Sequence, residues 1–348
     1  MGAPAYLVGG TVRDLLLGRP TSDLDVVVEG ELRPLAEALG GDVTEHERFQ
    51  TATVRTRGGT LDLAQARAED YERPGALPTV RPASLEEDLG RRDFAFNAMA
   101  VPLADPDSLI DPHGGLGDLE AGRLRMLHDR SFRDDPTRAL RAARYAARYG
   151  FELEPRTAEQ LREADLSTVS QERVAAELRK IAVEQEPGRA FALARDWGLV
   201  PEIPPEGPER ADKVAKLASA PPWAGWVNGE DAVLVAVTEP PQRSAELALA
   251  VPERPAQAVE LTRSAHPAEL IVARAMGAEW LDRYAAEWRN IGLEIDGGDL
   301  LAGGIPEGPA IGKALEVALG AKLDGEVSGR EEELKLALEV ARGEIPEA

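Results

Sequence analysis

Three aspartates stand where metal chemistry is expected. Asp23-Leu24-Asp25 opens an apolar run. Strand residues two apart share a face, so both carboxylates point one way while Leu24 turns to the core. Like charges held side by side repel, a divalent cation relieves the repulsion, and hard oxygen ligands suit Mg2+. Asp62, in Thr60-Leu61-Asp62-Leu63, is a third acid bracketed by apolar neighbours. Taken singly, Asp23 is equally a cap and Asp62 a surface strand residue. Together the three fit a two-metal centre, one ion activating an attacking hydroxyl and the other steadying a leaving pyrophosphate. Upstream, Tyr6-Leu-Val8-Gly9-Gly10-Thr-Val-Arg13 reads as a short strand running through glycines into a helix. Such a turn offers backbone N–H groups to phosphate, and Arg13 adds a cation one turn in. A lone Gly-Gly pair is more often an ordinary turn.

The elements needed to hold these residues are legible. β-Rich runs at Tyr6–Val8, Leu24–Val28, Thr51–Arg55 and Thr60–Leu63 alternate with Gly, Pro and helical patterns. From about Asp134 onward the chain is rich in Ala, Leu, Arg and Glu at helical spacing, broken near Gly150, Pro155, Gly198 and Pro201. Strands followed by helices predict an α+β fold with an N-terminal mixed sheet and an all-helical remainder. The proline cluster Pro201–Pro208 reads as a joint between helical units.

Composition sets the outer limits. A chain of 348 residues has room for two to four domains. It has no cysteine, which removes disulfides, thiolate zinc sites and cysteine nucleophiles. No apolar window approaches a membrane span, and the N-terminus has no signal-peptide pattern, so a cytoplasmic location is expected. The four histidines, at 46, 113, 128 and 266, form no paired-His metal motif. The net charge of −22 argues on its face against nucleic acid. Yet Arg123–Arg148 holds eight arginines against Asp129, Asp134 and Asp135, an electropositive strip suited to RNA or triphosphate.

Gly9-Gly10-Thr-Val-Arg13-Asp14 with Asp23-Leu-Asp25, then Arg91-Arg92-Asp93-Phe94-Ala-Phe-Asn97-Ala-Met99-Ala100, resembles the bacterial class II tRNA nucleotidyltransferases and related poly(A) polymerases. Asp111-Pro-His-Gly114-Gly115, Asp134-Asp135-Pro-Thr-Arg138-Ala-Leu-Arg141-Ala-Ala-Arg144-Tyr and Glu172-Arg173-Val-Ala-Ala-Glu177-Leu extend the likeness in order, from residue 6 to about 181. The resemblance implies a polymerase-beta-like nucleotidyltransferase head over 1–132, a helical neck over 133–205, and a helical body and tail over 206–348 that meets tRNA. It implies that Asp23, Asp25 and Asp62 bind catalytic Mg2+ and that Gly9, Gly10 and Arg13 hold nucleotide phosphates. Arg92, Asp93 and Asn97 fall where the family contacts the nucleotide, with Arg92 and Asp93 at the ribose.

On the predicted helix, Asp135, Arg138, Arg141 and Arg144 recur every third position, which by spacing alone is a solvated stripe or an Asp135–Arg138 ion pair. Within the family's order of motifs, the pair becomes a base reader. An Asp accepts from the exocyclic amine of cytosine or adenine and an Arg donates to ring acceptors, so a protein surface selects C and A without a template. Arg141 and Arg144 then suit the triphosphate. The resemblance thus implies CCA addition to the tRNA 3′ end from CTP and ATP. Enzymes adding only A, poly(A) polymerases and non-catalytic RNA-binding relatives are the alternatives. Arg67–Pro78 resembles a mobile loop kept by members that add the terminal A, and Gly41–Thr51 looks more like the tRNA branch than the poly(A) polymerases.

Overall fold

The structure, a computed structural model, describes residues 3–21, 23–46, 50–57 and 59–344, with only the backbone described at Asp23 and His46. Residues 47–49 of the Gly41–Thr51 segment therefore lie outside it. The chain divides into two compact units, Met1–Glu202 and Ile203–Ala348, parting inside the proline cluster.

The first unit begins with β1 (Ala5–Val8), α1 (Gly10–Leu16), β2 (Asp23–Val28), α2 (Arg33–Leu39), β3 (Asp42–His46), β4 (Thr51–Thr56) and β5 (Gly59–Gln65). A hairpin of β6 (Arg67–Asp70) and β7 (Thr79–Pro82) follows, then α3 (Leu85–Gly90) and β8 (Ala100–Pro102). Six strands form one sheet in the order β3-β4-β5-β2-β1-β8, with β2 and β5 parallel and the other neighbours antiparallel. This is the mixed sheet expected. The β3 strand, the β6–β7 hairpin and β8 were not: sequences such as Asp-Val-Thr-Glu-His and Arg-Ala-Glu-Asp are too polar for a strand pattern to emerge, and Ala-Val-Pro is too short.

Alternation along β2 sorts the core. Val26 and Val28 pack with Ala36, Ala52, Val54 and Leu63 on one face, and Val27 packs with Val8, Leu85 and Leu89 on the other. Asp25 shares the Val27 face but lies at the start of the strand, where it is exposed.

Helices and a short parallel pairing of Arg123–Leu124 with Glu152–Leu153 complete the unit, the helices being α4 (Gly115–Glu120), α5 (Ser131–Asp134), α6 (Thr137–Tyr149), α7 (Pro155–Leu161), α8 (Gln171–Ala182) and α9 (Pro187–Asp196). Strong helix formers fill α6, and Gly150 ends it in the left-handed region at φ 71°. The alanines of α6 are buried, and the helix packs on α8 and α9. Asp111 caps α4, accepting from the backbone N–H of Gly115 at 2.7 Å and of Leu116 at 3.0 Å. A side chain on Gly115 would meet the Ala95 carbonyl at 2.1 Å, so the glycine lets α4 close on the segment that carries Asp93 and Asn97.

The second unit consists, among the described residues, of helices: α10 (Gly207–Ala218), α11 (Gly229–Val237), α12 (Gln242–Leu249), α13 (Pro255–Thr262), α14 (Pro267–Ala275), α15 (Leu281–Ala286), α16 (Gly297–Ala302), α17 (Pro309–Leu323) and α18 (Gly329–Ala341). Trp223 is buried there, its indole N–H donating to Asp282 at 2.9 Å, and Leu300, Ala314, Ala318 and Ala337 form a separate core cluster. No described helix is long and apolar enough to cross a membrane.

Phe96 is fully buried, with ring centroids 5.5 Å from Tyr145, 5.7 Å from Phe151 and 5.8 Å from Phe94. Phe96→Ala should destabilise this unit by about 3–5 kcal/mol in urea denaturation.

Candidate active site

Every residue singled out from sequence except Asp23 lines one cavity of about 1050 Å3: Gly9, Gly10, Arg13, Asp25, Asp62, Arg92, Asp93, Asn97, Asp135, Arg138, Arg141 and Arg144. The backbone of Asp23 pairs with Thr60, and its side chain lies outside the described residues.

The sheet supplies the acids. In the β2–β5 register Asp25 lies directly opposite Asp62, and in the β4–β5 register Thr53 lies opposite Asp62. Thr53 donates its hydroxyl to Asp62 at 2.8 Å. The Asp25 N–H donates to Thr11 Oγ1 at 2.9 Å, tying β2 to α1. Two carboxylates in register on adjacent parallel strands, both opening on the cavity, are a hard-oxygen donor set that fits a divalent cation. Among the described residues no cluster of three potential ligands forms. Asp25, Asp62 and Arg92 also line a second cavity of about 330 Å3, together with Thr51 and Thr53.

The glycine turn has a steric cause. Gly9 sits at φ 62°, a conformation that favours glycine, and a Cβ there would lie 2.6 Å from Arg92 Nη1 and push that guanidinium aside. Arg92 is braced by Asp88, which receives its Nη2 at 2.9 Å and that of Arg91 at 2.7 Å. Burial alone would raise the Asp88 carboxyl, and the two guanidiniums outweigh it, holding the group below the usual carboxylate range. Asp88 was missed from sequence. Its signal was its place three and four residues before the arginines, on a helix whose Ser84–Glu87 capping box fixes the start.

A buried chain of polar bonds links α1 to α6. Arg13 grips Asp14 through Nε at 2.8 Å and Nη2 at 2.9 Å, and donates Nη1 to Asn97 Oδ1 at 2.7 Å. Asn97 donates to Asp93 Oδ1 at 3.0 Å, and Arg141 closes on Asp93 Oδ2 at 2.8 and 2.7 Å. Burial acts to raise the Asp93 carboxyl, but Arg141 and the Asn97 hydrogen bond bring it down to about 2. Burial acts equally against the Arg141 charge, and Asp93, Tyr145 and Glu177 raise its pKa above the ordinary value.

Asp135 lies just ahead of α6 rather than on it. It accepts from the Thr137 N–H at 3.1 Å and pairs with Arg173 of α8 at 2.8 Å, not with Arg138. Arg138 turns inward, donating to the carbonyls of Arg91 at 2.8 Å and Arg92 at 3.3 Å and to Ser131 Oγ at 2.7 Å. Arg144 stands 3.6 Å from Glu184, and its buried Nε has no hydrogen-bond partner. The electropositive strip is therefore divided. Arg138, Arg141, Arg144 and Arg148 line the cavity, whereas Arg123 and Arg125 pair with Asp118.

Sequence reasoning also missed Glu69, Tyr71, Glu177 and Lys180 as lining residues. Glu69 accepts from Arg91 at 2.6 Å and from the Tyr71 hydroxyl at 2.9 Å, and burial with that carboxylate pushes the Tyr71 phenol up. The segment read as a mobile loop is anchored here. The Gly75 N–H donates to the Asp134 carbonyl at 3.2 Å, and Arg173 donates to the Gly75 carbonyl at 3.0 Å. Arg173, Glu177 and Lys180 sit four and three residues apart, a one-face helical spacing on α8 visible in the sequence.

Acids at the open end of a mixed sheet, facing a wall of guanidiniums across a nucleotide-sized cavity, define a polymerase-type nucleotidyltransferase head with a helical neck. Residues 5–125 match the poly A polymerase head domain and residues 150–209 a probable RNA- and SrmB-binding site of polymerase A. The CC-adding tRNA nucleotidyltransferase of Deinococcus radiodurans is 34% identical over 98% of this chain and 90% of its own length. The A-adding tRNA nucleotidyltransferase of Halalkalibacterium halodurans is 44% identical over 55% of this chain, which spans only 48% of that relative's length. The solved Thermotoga maritima CCA-adding enzyme in complex with tRNA superposes with a TM-score of 0.72 at 30% identity, covering 96% of this chain and 90% of that one. The chain belongs to the class II tRNA nucleotidyltransferase family, whose members work with a divalent metal ion.

The Asp93–Arg141 pair sets a pH dependence. A depressed carboxyl contributes stability that is complete above its unfolded value near pH 4 and is lost as pH falls toward about 2. Asp93→Asn should cost roughly 3–5 kcal/mol at pH 7. The gap from the parent should narrow between about pH 4 and 2, and denaturation across that range measures it.

Proposed function

We propose that this chain adds CCA to the 3′ end of tRNA in the cytoplasm, from CTP and ATP, by Mg2+-dependent nucleotidyl transfer. The observation that carries the reading is the meeting of two cavities at Asp25, Asp62 and Arg92. Transfer needs two substrates across one pair of carboxylates. The larger cavity has room for a nucleoside triphosphate and the smaller for the acceptor's terminal nucleotide.

Asp23, Asp25 and Asp62 would hold the metal, and Mg2+ suits their oxygen ligands. When bound, it supplies Lewis acidity to the attacking 3′-hydroxyl and neutralises the departing pyrophosphate. Around it the chain's own groups bind and orient. The Gly9–Gly10 turn lets a phosphate approach the backbone, and Arg144, on the cavity wall, offers its guanidinium to a triphosphate oxygen. Arg92, braced by Asp88, faces the ribose. Asp93 has both oxygens engaged and acts there through Asn97 and Arg141.

Base selection falls to Asp135 and Arg138. Three of the five guanidinium donors of Arg138 are bound to fixed acceptors. Its Nε–H and one Nη2–H remain to meet ring acceptors of C or A. Residues 206–348 receive the tRNA in this reading. A second reading, addition of A alone, draws support from the A-adding relative at 44% identity. Retention of the Arg67–Pro78 segment speaks against CC addition alone.

tRNA ending before C, CC or CCA, incubated with labelled CTP or ATP, separates these outcomes. Label from both nucleotides supports the first reading, label from ATP on CC-ended tRNA only supports the second, and no incorporation ends both. Asp25→Asn should lower incorporation by at least about a hundredfold with tRNA affinity retained. Arg138→Ala should erode the preference for CTP and ATP over UTP and GTP by about tenfold or more, and an unchanged preference refutes the assignment.

A further inference from the structure

Tyr145 and Tyr149 lie one turn apart on α6 and stack, ring centroids 6.1 Å apart at 26°. The guanidinium carbons of Arg13, Arg141 and Arg144 sit 5.4, 5.5 and 5.0 Å from the centre of the Tyr145 ring. Those of Arg13, Arg19 and Arg148 sit 5.0, 4.8 and 6.0 Å from the Tyr149 ring. The rings are themselves braced, Tyr145 edge-on to Phe96 at 5.5 Å and Tyr149 beside Phe151 at 5.4 Å. The hydroxyls are tied as well. Arg141 Nη2 donates to Tyr145 at 3.0 Å, and Tyr149 donates to Asp14 at 3.2 Å.

Guanidiniums gathered this closely repel one another and, left alone, turn toward solvent or the nearest acid. Glu184 shows that pull on Arg148, which it holds at 2.7 and 2.6 Å. An aromatic face counters it differently. Its negative quadrupole attracts the cation without occupying the N–H donors, which stay available to an anion. Arg144 has this arrangement, with a ring at 5.0 Å, Glu184 3.6 Å from its Nη1 and its side chain on the cavity wall.

We propose that the Tyr145–Tyr149 stack is a positioning device for Arg13 and Arg144. Its π faces, rather than its hydroxyls, hold these guanidiniums ready for a triphosphate, Arg13 jointly with Asp14 and Asn97. The inference rests on the cavity being the nucleotide site. A triphosphate is held alike before and during transfer, so loss of the platform appears in KM and not in kcat. Tyr149 is half-buried and does not itself line the large cavity, so its replacement removes no lining side chain and acts through the arginines that its ring holds.

The test compares Tyr149→Leu with Tyr149→Phe in steady-state incorporation of CTP and ATP, alongside equilibrium binding of CTP, ATP and tRNA. The leucine variant should raise KM and weaken nucleotide binding by about tenfold at unchanged kcat and tRNA affinity, while the phenylalanine variant stays close to the parent. An unchanged KM in the leucine variant overturns the proposal. A phenylalanine variant as weak as leucine does so too, because it assigns the effect to the Asp14 hydrogen bond, and so does a parallel fall in tRNA affinity, which marks general loosening. Should Tyr149→Leu fail to fold, a series of fluorinated phenylalanines at 149 withdraws charge from the ring at nearly constant shape. KM should climb with each fluorine, and a flat series overturns the platform. If the parent incorporates no nucleotide, the proposed function fails, and direct CTP and ATP binding across the same variants still decides the role of the rings.

Discussion

A carboxylate as buried as Asp93 survives ionised only because each of its acceptor directions is met. Oδ1 takes the Phe94 N–H at 2.8 Å and the Asn97 amide at 3.0 Å, and Oδ2 takes Arg141. Desolvating such a pair is costly, and the cost is offset only when geometry and secondary hydrogen bonds are complete. Completeness here requires three elements at once. The turn carrying residues 93–97 must sit against α4, which Asp111 and Gly115 arrange; α6 must present Arg141; and α1 must bring Arg13 to Asn97. The ion pair thus joins the sheet-bearing part of the first unit to its helical part, and the cavity is the space left between them.

The same pairing logic answers the charge paradox. The net charge alone argues against RNA, yet the cavity wall is dense in arginine, as the Arg123–Arg148 strip led one to expect. Acids are placed behind most of those arginines: Asp88 behind Arg91 and Arg92, Asp14 behind Arg13, Glu184 behind Arg148. Each counter-ion lets a guanidinium exist partly desolvated, and Asp88, shared by two, leaves one positive charge in excess. Net charge, a sum over the whole surface, carries no information about a site built from local pairs.

What could be read from sequence follows from range. Asp25 and the β2 and β5 strands were legible because strand alternation is local, and Gly9 because a positive φ leaves a glycine behind. The partner choices were not. Asp135 has Arg138 at helical spacing, yet it pairs with Arg173, thirty-eight positions on, because it precedes α6 and its carboxylate faces α8. Glu69 finds Arg91 across a hairpin whose strands are too polar to announce themselves. Tertiary packing decides such contacts, and no periodicity records them.

In the proposed function Arg138 carries a structural and a reading role on one side chain. Its guanidinium closes on the carbonyls of Arg91 and Arg92, the residues immediately before Asp93, so it holds the segment that positions Arg141 and Asn97. A base reader that discriminates by hydrogen-bond pattern must present its donors in one fixed plane, since a mobile guanidinium would rotate to suit any acceptor. Three bonds to fixed acceptors supply that plane. In the proposed reading the clamp is therefore not an alternative to base selection but its precondition, and selectivity would depend on Ser131 and on the backbone at residues 91 and 92, none of which need touch a base.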